Sequence, residues 1–275
     1  FQAFPEMKTI RTFAEAEDFQ LESPVMNAHQ KATIGNALIK QTMALYQKVP
    51  ARFEDLVYAG LVLQGHGIRH GIEAHRRNRP YCMGSLVWQL NDSWPVVSWS
   101  GIDYYGNWKA MHYQMQRAFA PLAINAYREG DTLYYYLFSD LLQDASVKLE
   151  LELMDFDGKV HSRQEINCHV PANTSRQVYK QTVAEALQGK DASASMIRIT
   201  ARNAKRETVA ESIYYFAYPK DQKLPAARIS IRSKWLKSGQ LELTLKTDRL
   251  ARDVFVEIPL QGVRFSDNFF DLLPG

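Results

Sequence analysis

Between residues 53 and 77, Leu56, Val57, Gly60, Leu61, Gln64, Ile68 and Ile72 recur at a period near 3.6, which predicts one long helix. It closes on HRRNRP, with basic residues in the last turn, where they meet the negative end of the helix dipole, and Pro80 as the stop. Ile34, Leu38, Ile39, Met43 and Tyr46 repeat the period and predict a helix over 34–46. Ser23-Pro24 pairs a capping hydroxyl with a proline at the first helical position and opens a short helix through VMNAHQ. FQAFPEMKTI reads as the tail of a strand followed by a helix with Pro5 near its first turn. YCMGSLVW (81–88) breaks the helical texture. It is continuously apolar and uncharged, which predicts a strand buried on both faces, as in a parallel sheet. A Trp-rich loop, QLNDSWPVVSWSGIDYYG, follows, and NWKAMHYQMQRAF restores the helical period. Helix, buried strand, long loop, helix is α/β wiring.

From about Pro121 the pattern turns to strands. TLYYYLFSD, VKLELELMDFDGKV, MIRITARN and SIYYFAY cluster aromatic and β-branched residues between EGD and DFDGK turns. LELEL alternates strictly, so one face is expected in a core and the other in water. Roughly seven such segments in about 100 residues is the density of an immunoglobulin-like sandwich. PKDQKLP, bracketed by prolines and charged, reads as a linker. RISIRSKWL, QLELTLKTD and VFVEIPL then resume the strand pattern. The expected division is an α/β part over 1–120, a sandwich over 121–218, a linker over 219–226 and part of a second sandwich over 227–275. Phe1 opens without Met, a basic leader or an apolar leader segment, and Pro274-Gly275 closes on a turn, so both ends read as cuts in a longer protein.

Composition narrows the classes. With 46% hydrophobic residues, 14 Gly and 2 Cys, the 275 residues are neither collagen-like, nor disulfide-stapled, nor wholly disordered. A net charge of +3, dispersed along the chain, gives no electrostatic footprint for nucleic acid. No apolar run approaches the ~18 residues of a membrane span.

Several residues invite chemistry. His66 and His70 stand at i,i+4 with Glu73 beyond them, a spacing that can bind zinc. Gly67 occupies the place where an HExxH motif needs its glutamate, and a polar face of a packing helix explains the trio without a metal. Cys82 falls inside the predicted buried strand, where a structural thiol is expected. Ser85 lacks the glycine-flanked elbow of a nucleophilic serine. Gly65, Gly67 and Gly71 lie in a helix, not in a phosphate-binding loop after a strand. Asp92 and Asp103 sit in the loop after the predicted strand, where a barrel enzyme carries its chemistry; the turn-forming NDS cluster is the simpler account of Asp92, and the Tyr-Tyr-Gly turn after Asp103 favours a structural role there more strongly still. Three of the five tryptophans fall between positions 88 and 99, Trp88 at the end of the predicted strand and Trp94 and Trp99 in the loop after it. An indole offers a flat apolar area that matches the C–H face of a sugar, and equally it can plug the end of a barrel.

RRNRPYCMGSLVWQLNDSWPVVSWSGIDYYGNWKAMHYQMQRAFAPL resembles the last strand, loop and helix of the catalytic barrel in β-mannosidases of glycoside hydrolase family 2. FQAFPEMKTI is similar to the segment that follows their nucleophile motif, and SPVMNAHQKA and FSDNFFDLLPG also look like segments of that group. The resemblance implies the last part of a (β/α)8 TIM barrel followed by immunoglobulin-like β-sandwich domains. It implies a retaining exo-hydrolase that removes terminal β-linked mannose from oligosaccharides or glycans with two glutamates, and needs no metal or other cofactor. Neither nucleic acid nor membrane is an implied partner, and the implied setting is periplasmic, secreted or lysosomal. The nucleophile would precede Phe1 and the acid/base would lie further upstream, so no catalytic residue is expected within the chain, which alone would be inactive. Trp88 would be the platform under the sugar, with Asn91, Asp92 and Trp94 as further substrate-binding candidates. A carbohydrate-binding or structural sandwich module, and a family-2 galactosidase or glucuronidase, are the alternatives.

Overall fold

The computed structural model describes residues 1–274, which form two units. One gathers residues 1–123, 218–220 and 256–269; the other gathers 124–217, 221–255 and the stretch from Phe270 onward.

The first unit is helical: α1 (Met7–Ile10), α2 (Pro24–Ala28), α3 (Gly35–Tyr46), α4 (Phe53–Arg77) and α5 (Ala110–Ala118). Ser23 Oγ accepts from Met26 N and Pro24 takes the first helical position, so α2 starts where its cap predicts. α1 starts later than Pro5. Glu6 keeps an extended ψ of 156° and the first helical bond runs from Thr9 N to Glu6 O, which leaves Pro5 ahead of the helix. α4 buries Leu56, Val57, Gly60, Leu61, Gln64 and Ile72 of the expected stripe, leaves Ile68 half-buried, and encloses Val62, Leu63 and Gly65 as well. Gly65 lets α5 approach closely: a Cβ there would stand 3.2 Å from the carbonyl of Ala110 and 3.0 Å from Gln114 Cγ.

The run 81–88 is not the buried strand its composition predicts. Residues 82–87 take no part in a ladder, and Tyr81, Leu86 and Trp88 are 97%, 104% and 72% exposed. A strand buried on two faces owes that burial to neighbours on both edges. Among the described residues no strand pairs with this segment, so Tyr81, Met83, Leu86 and Trp88 lie in solvent while Cys82 and Val87 are partly covered. Cys82 is accordingly half-exposed, its Sγ donating to Gly84 O, and is not the enclosed thiol expected of a core strand. Regular pairing resumes only at Gln89, whose N–H donates to Trp99 O.

The second unit carries the immunoglobulin-like sandwich. Strands β1 (Leu122–Glu129), β2 (Thr132–Ser139) and β5 (Ser175–Thr182) form one sheet in the order β1-β2-β5. Strands β3 (Ala145–Asp155), β4 (Val160–Val170), β6 (Ser195–Arg202) and β7 (Thr208–Tyr215) form the other in the order β4-β3-β6-β7. Leu149, Leu151 and Leu153 of β3 pair with Ala201, Ile199 and Ile197 of β6, and all six are buried. The intervening Glu150 and Glu152 face the other way, into Arg163, Arg198 and Arg202. The alternation of LELEL is thus realised as an apolar face and a charged face.

Residues 219–221 form a short 3₁₀ turn. Strands β8 (Ile229–Trp235) and β9 (Leu241–Thr247) make a hairpin, and β10 (Ala251–Val254) pairs with β11 (Phe270–Leu272). β8 is exposed along its whole length. Leu250 joins Met154, Phe156 and Met196 in a common cluster, and Arg252 stacks over the Tyr215 ring at 4.0 Å.

Candidate functional site

The Trp-rich loop of the first unit is held from beneath by a buried polar scaffold. Asp92 is only 4% exposed; its Oδ2 accepts from Ser98 Oγ at 2.9 Å and Ser100 Oγ at 2.5 Å, and its Oδ1 from Gln89 Nε2 at 3.4 Å. The alternation of Ser98, Trp99 and Ser100 puts both hydroxyls on the side facing that carboxylate. Asp103, also buried, accepts from Thr9 Oγ1 at 2.5 Å, from Asn107 Nδ2 at 2.9 Å and from the backbone N–H groups of Tyr105 and Asn107. Both loop carboxylates are therefore committed to holding backbone and side chains in place.

Between them lies Lys109, with no solvent exposure. Its Nζ donates to Ala3 O at 3.0 Å and Ser98 O at 3.3 Å, and its backbone N–H donates to Gly101 O. Burial draws its pKa down to about 8, while the charges of Asp92 and Asp103 act in the opposite direction. Ala3 and Ser98 exchange both backbone hydrogen bonds, at 2.9 and 3.2 Å, and Gln64 Nε2 of α4 donates to Ser98 O as well. The first three residues, α4, α5 and the loop are thereby tied at one point.

Above this scaffold the candidates separate. Trp88 ends the exposed apolar run with its indole in solvent, and the Trp88–Gln89 peptide is cis. Asn91 is exposed, forms a bridge with Ile102, and donates from Nδ2 to Asp92 O at 3.2 Å. Asp92 lies underneath. Trp94 places its ring against His29 at 5.1 Å, with Lys31 Nζ 5.7 Å from the ring centroid; His29 in turn stacks on Phe13 at 4.0 Å and bonds Pro95 O through Nδ1. Trp88 and Asn91 are presented outward, whereas Asp92 and Trp94 shape the loop. Of the α4 trio, Glu73 is buried and accepts from Arg69 Nε at 2.8 Å, a helix-face ion pair. Among the described residues no three His, Cys, Asp or Glu side chains converge as a metal would require.

Lys109, Ser98 and Ser100 are not singled out by sequence patterning, and Gln64 enters it only as one position of the α4 stripe. A lysine at the mouth of a helix reads as a solvated charge, and only the apolar company of Trp108, Ala110 and Met111 hints otherwise.

Residues 131–221 match the model of the Mannosidase Ig/CBM-like domain, and residues 224–275 that of an Ig-fold domain. A crystal structure of a β-D-mannosidase from Dictyoglomus thermophilum superposes on the whole chain with a TM-score of 0.90 at 30% identity, over 33% of its own length. The chain belongs to the β-mannosidases of glycoside hydrolase family 2, as a C-terminal part. Curated β-mannosidases agree: that of Capra hircus is 28% identical over 98% of the chain, and β-mannosidase B of Thermothelomyces thermophilus 27% identical over 100%. The chain spans about a third of the length of these relatives, 33% and 35% respectively. The exo-chitosanase CsxA of Amycolatopsis orientalis, at 18% identity and a TM-score of 0.78, shares the fold.

Proposed function

We propose that these residues close the catalytic barrel of a retaining exo-β-mannosidase, and that Trp88 is the platform on which the terminal mannose of a β-mannoside oligosaccharide or glycan rests. The exposed indole at the end of an unpaired apolar run carries the reading. A segment of that composition gains stability only between neighbouring strands, so 81–88 is read as the last strand of a (β/α)8 barrel whose other strands lie in the remaining two-thirds of the relatives' length. In such a barrel the C-terminal end of a strand faces the substrate, which sets Trp88 at the rim with Asn91 beside it. Asp92 and Trp94 contribute by holding that rim. The barrel part is assigned to 1–120, the sandwich to 121–218, the linker to 219–226 and the incomplete second sandwich to 227–275.

Retention requires two carboxyl groups about 5–5.5 Å apart, one as nucleophile and one as acid/base. Asp92 and Asp103 are both engaged in hydrogen bonds and face Lys109, so neither supplies that pair. The two glutamates are assigned to the part of the family's chain that these residues do not include. The 275 residues alone are then inactive.

Aryl β-mannoside, β-galactoside and β-glucuronide turnover by the full-length protein and by the isolated chain tests this. The full-length protein should hydrolyse the mannoside in preference and with retention, and the isolated chain none of the three. Mannoside turnover by the isolated chain that Asp92→Asn abolishes would overturn the assignment.

A further inference from the structure

We propose that Lys109 is a positioning residue for the sugar site, a buried ammonium that sets the spacing between the 1–3 segment and the loop bearing Trp88. The proposal rests on the reading of Trp88 given above. A wholly buried lysine is rare, because an ammonium loses its hydration and must recover it from fixed acceptors. Here the acceptors are two main-chain carbonyls on different segments, Ala3 O and Ser98 O. Those two residues already pair through their own N–H and C=O groups. The side chain therefore adds a second tie across an existing bridge, and its own backbone N–H adds a third contact at Gly101 O.

From that point the constraint reaches Trp88 in two steps. Gly101 N donates to Gln89 O and Gln89 N donates to Trp99 O, so the residue after Trp88 is clamped to the backbone that Lys109 holds. A change in the length or donors of the Lys109 side chain is thus carried, through Gly101 and Gln89, to the residue that follows Trp88. Asp92 and Asp103 supply the opposing charge, and Asp92 also holds Ser98 by accepting from its hydroxyl at 2.9 Å. A group that only filled space at this position would not need a charge, two carboxylates and two carbonyls.

The test compares Lys109→Met, which keeps the length and loses the donors, with Lys109→Arg, which keeps charge and donors, in the full-length protein on an aryl β-mannoside. The expected result for Lys109→Met is a kcat at least 30-fold lower with KM within threefold, and a cooperative thermal transition retained. Lys109→Arg should recover at least a third of the lost activity on a logarithmic scale. Folded Lys109→Met with kcat within twofold of the parent overturns the proposal. An inactive parent instead refutes the mannosidase reading and is distinguished at once. If Lys109→Met does not fold, the wild-type chain decides. With ¹⁵N-lysine and ¹³C-carbonyl alanine and serine, the Lys109 ammonium should show couplings across hydrogen bonds to the carbonyls of Ala3 and Ser98. Absence of both couplings on a resolved Lys109 resonance overturns it as well.

Discussion

Replacing Asp92 by Asn isolates the charge in the scaffold under the Trp88 loop. The side chains are nearly isosteric, yet Asp92 accepts at both oxygens: two serine hydroxyls on Oδ2 and the Gln89 amide on Oδ1. An amide must turn its NH₂ either toward the two hydroxyls or toward Gln89 Nε2, so at least one donor meets a donor. Hydrogen bonds to a charged group contribute about 1.5–3 kcal/mol each, and Asn keeps only part of that. The variant also leaves Lys109 with Asp103 as its one remaining counter-charge among those that act on it. A loss of about 3 kcal/mol follows, against about 5 kcal/mol for Asp92→Ala, which strands a buried charge and opens a cavity. At 2–4 °C per kcal/mol for a chain of this size, Asp92→Asn should lower the melting temperature by about 6–12 °C. Thermal melts followed by Trp fluorescence measure it, and urea titration measures the free energy, with Asp221→Asn as an exposed comparison. A folded Asp92→Asn chain within about 0.5 kcal/mol of the parent would mean that the carboxylate holds nothing.

Three further substitutions probe separate points. A Cβ at Gly35 would stand 2.2 Å from Gln2 Cδ and Nε2, whose amide bonds Asn36 Oδ1 and the Ala32 N–H, so Gly35→Ala should cost about 1–3 kcal/mol, read by urea titration. Burial raises the Glu6 carboxyl to about 7, partly offset by Lys8 2.8 Å away, so from pH 4.5 to 7 the folded chain holds a proton that the unfolded chain has released. Stability should fall by up to about 3 kcal/mol as pH rises across that window, and Glu6→Gln should flatten the slope in melts at pH 4.5, 6 and 7.5; an unchanged slope contradicts the burial argument. Arg252 stacks on Tyr215 and donates to Gln222 Oε1 at 2.7 Å, so Arg252→Met should cost about 2–3 kcal/mol and speed trypsin cleavage at Lys220 and Lys223; wild-type cleavage rates would show that the contact does not restrain 219–226.

What the sequence discloses here is whatever is periodic or local. The helix over 53–77, the Ser23-Pro24 start and the LELEL faces are each decided by neighbours within one or two turns, and the structure reproduces them. The run 81–88 stands unpaired and largely exposed among the described residues because continuous apolarity specifies a need for neighbours without supplying them. Trp88 at the end of the apolar run and Asn91, Asp92 and Trp94 in the loop after it are legible as candidates, but not their division into outward and supporting residues. That division is set by contacts of Asp92 with Ser98 and Ser100 and of Trp94 with His29, 65 residues apart, which no spacing rule conveys. Lys109 was invisible because its partners are main-chain carbonyls, and any residue type carries those.

The most direct measurement is kcat/KM of Trp88→Ala, with Trp88→Phe and Trp235→Ala beside it, on an aryl β-mannoside in the full-length protein. Trp235 is exposed on β8 of the second unit and serves as the comparison. A platform under the mannose requires Trp88→Ala to lose about 10²-fold or more, equivalent to ~3 kcal/mol of transition-state stabilisation, with Trp88→Phe retaining part of it and Trp235→Ala nearly unchanged. A folded Trp88→Ala enzyme that hydrolyses the mannoside as fast as its parent would make Trp88 a plug at the barrel end and leave the sugar site elsewhere.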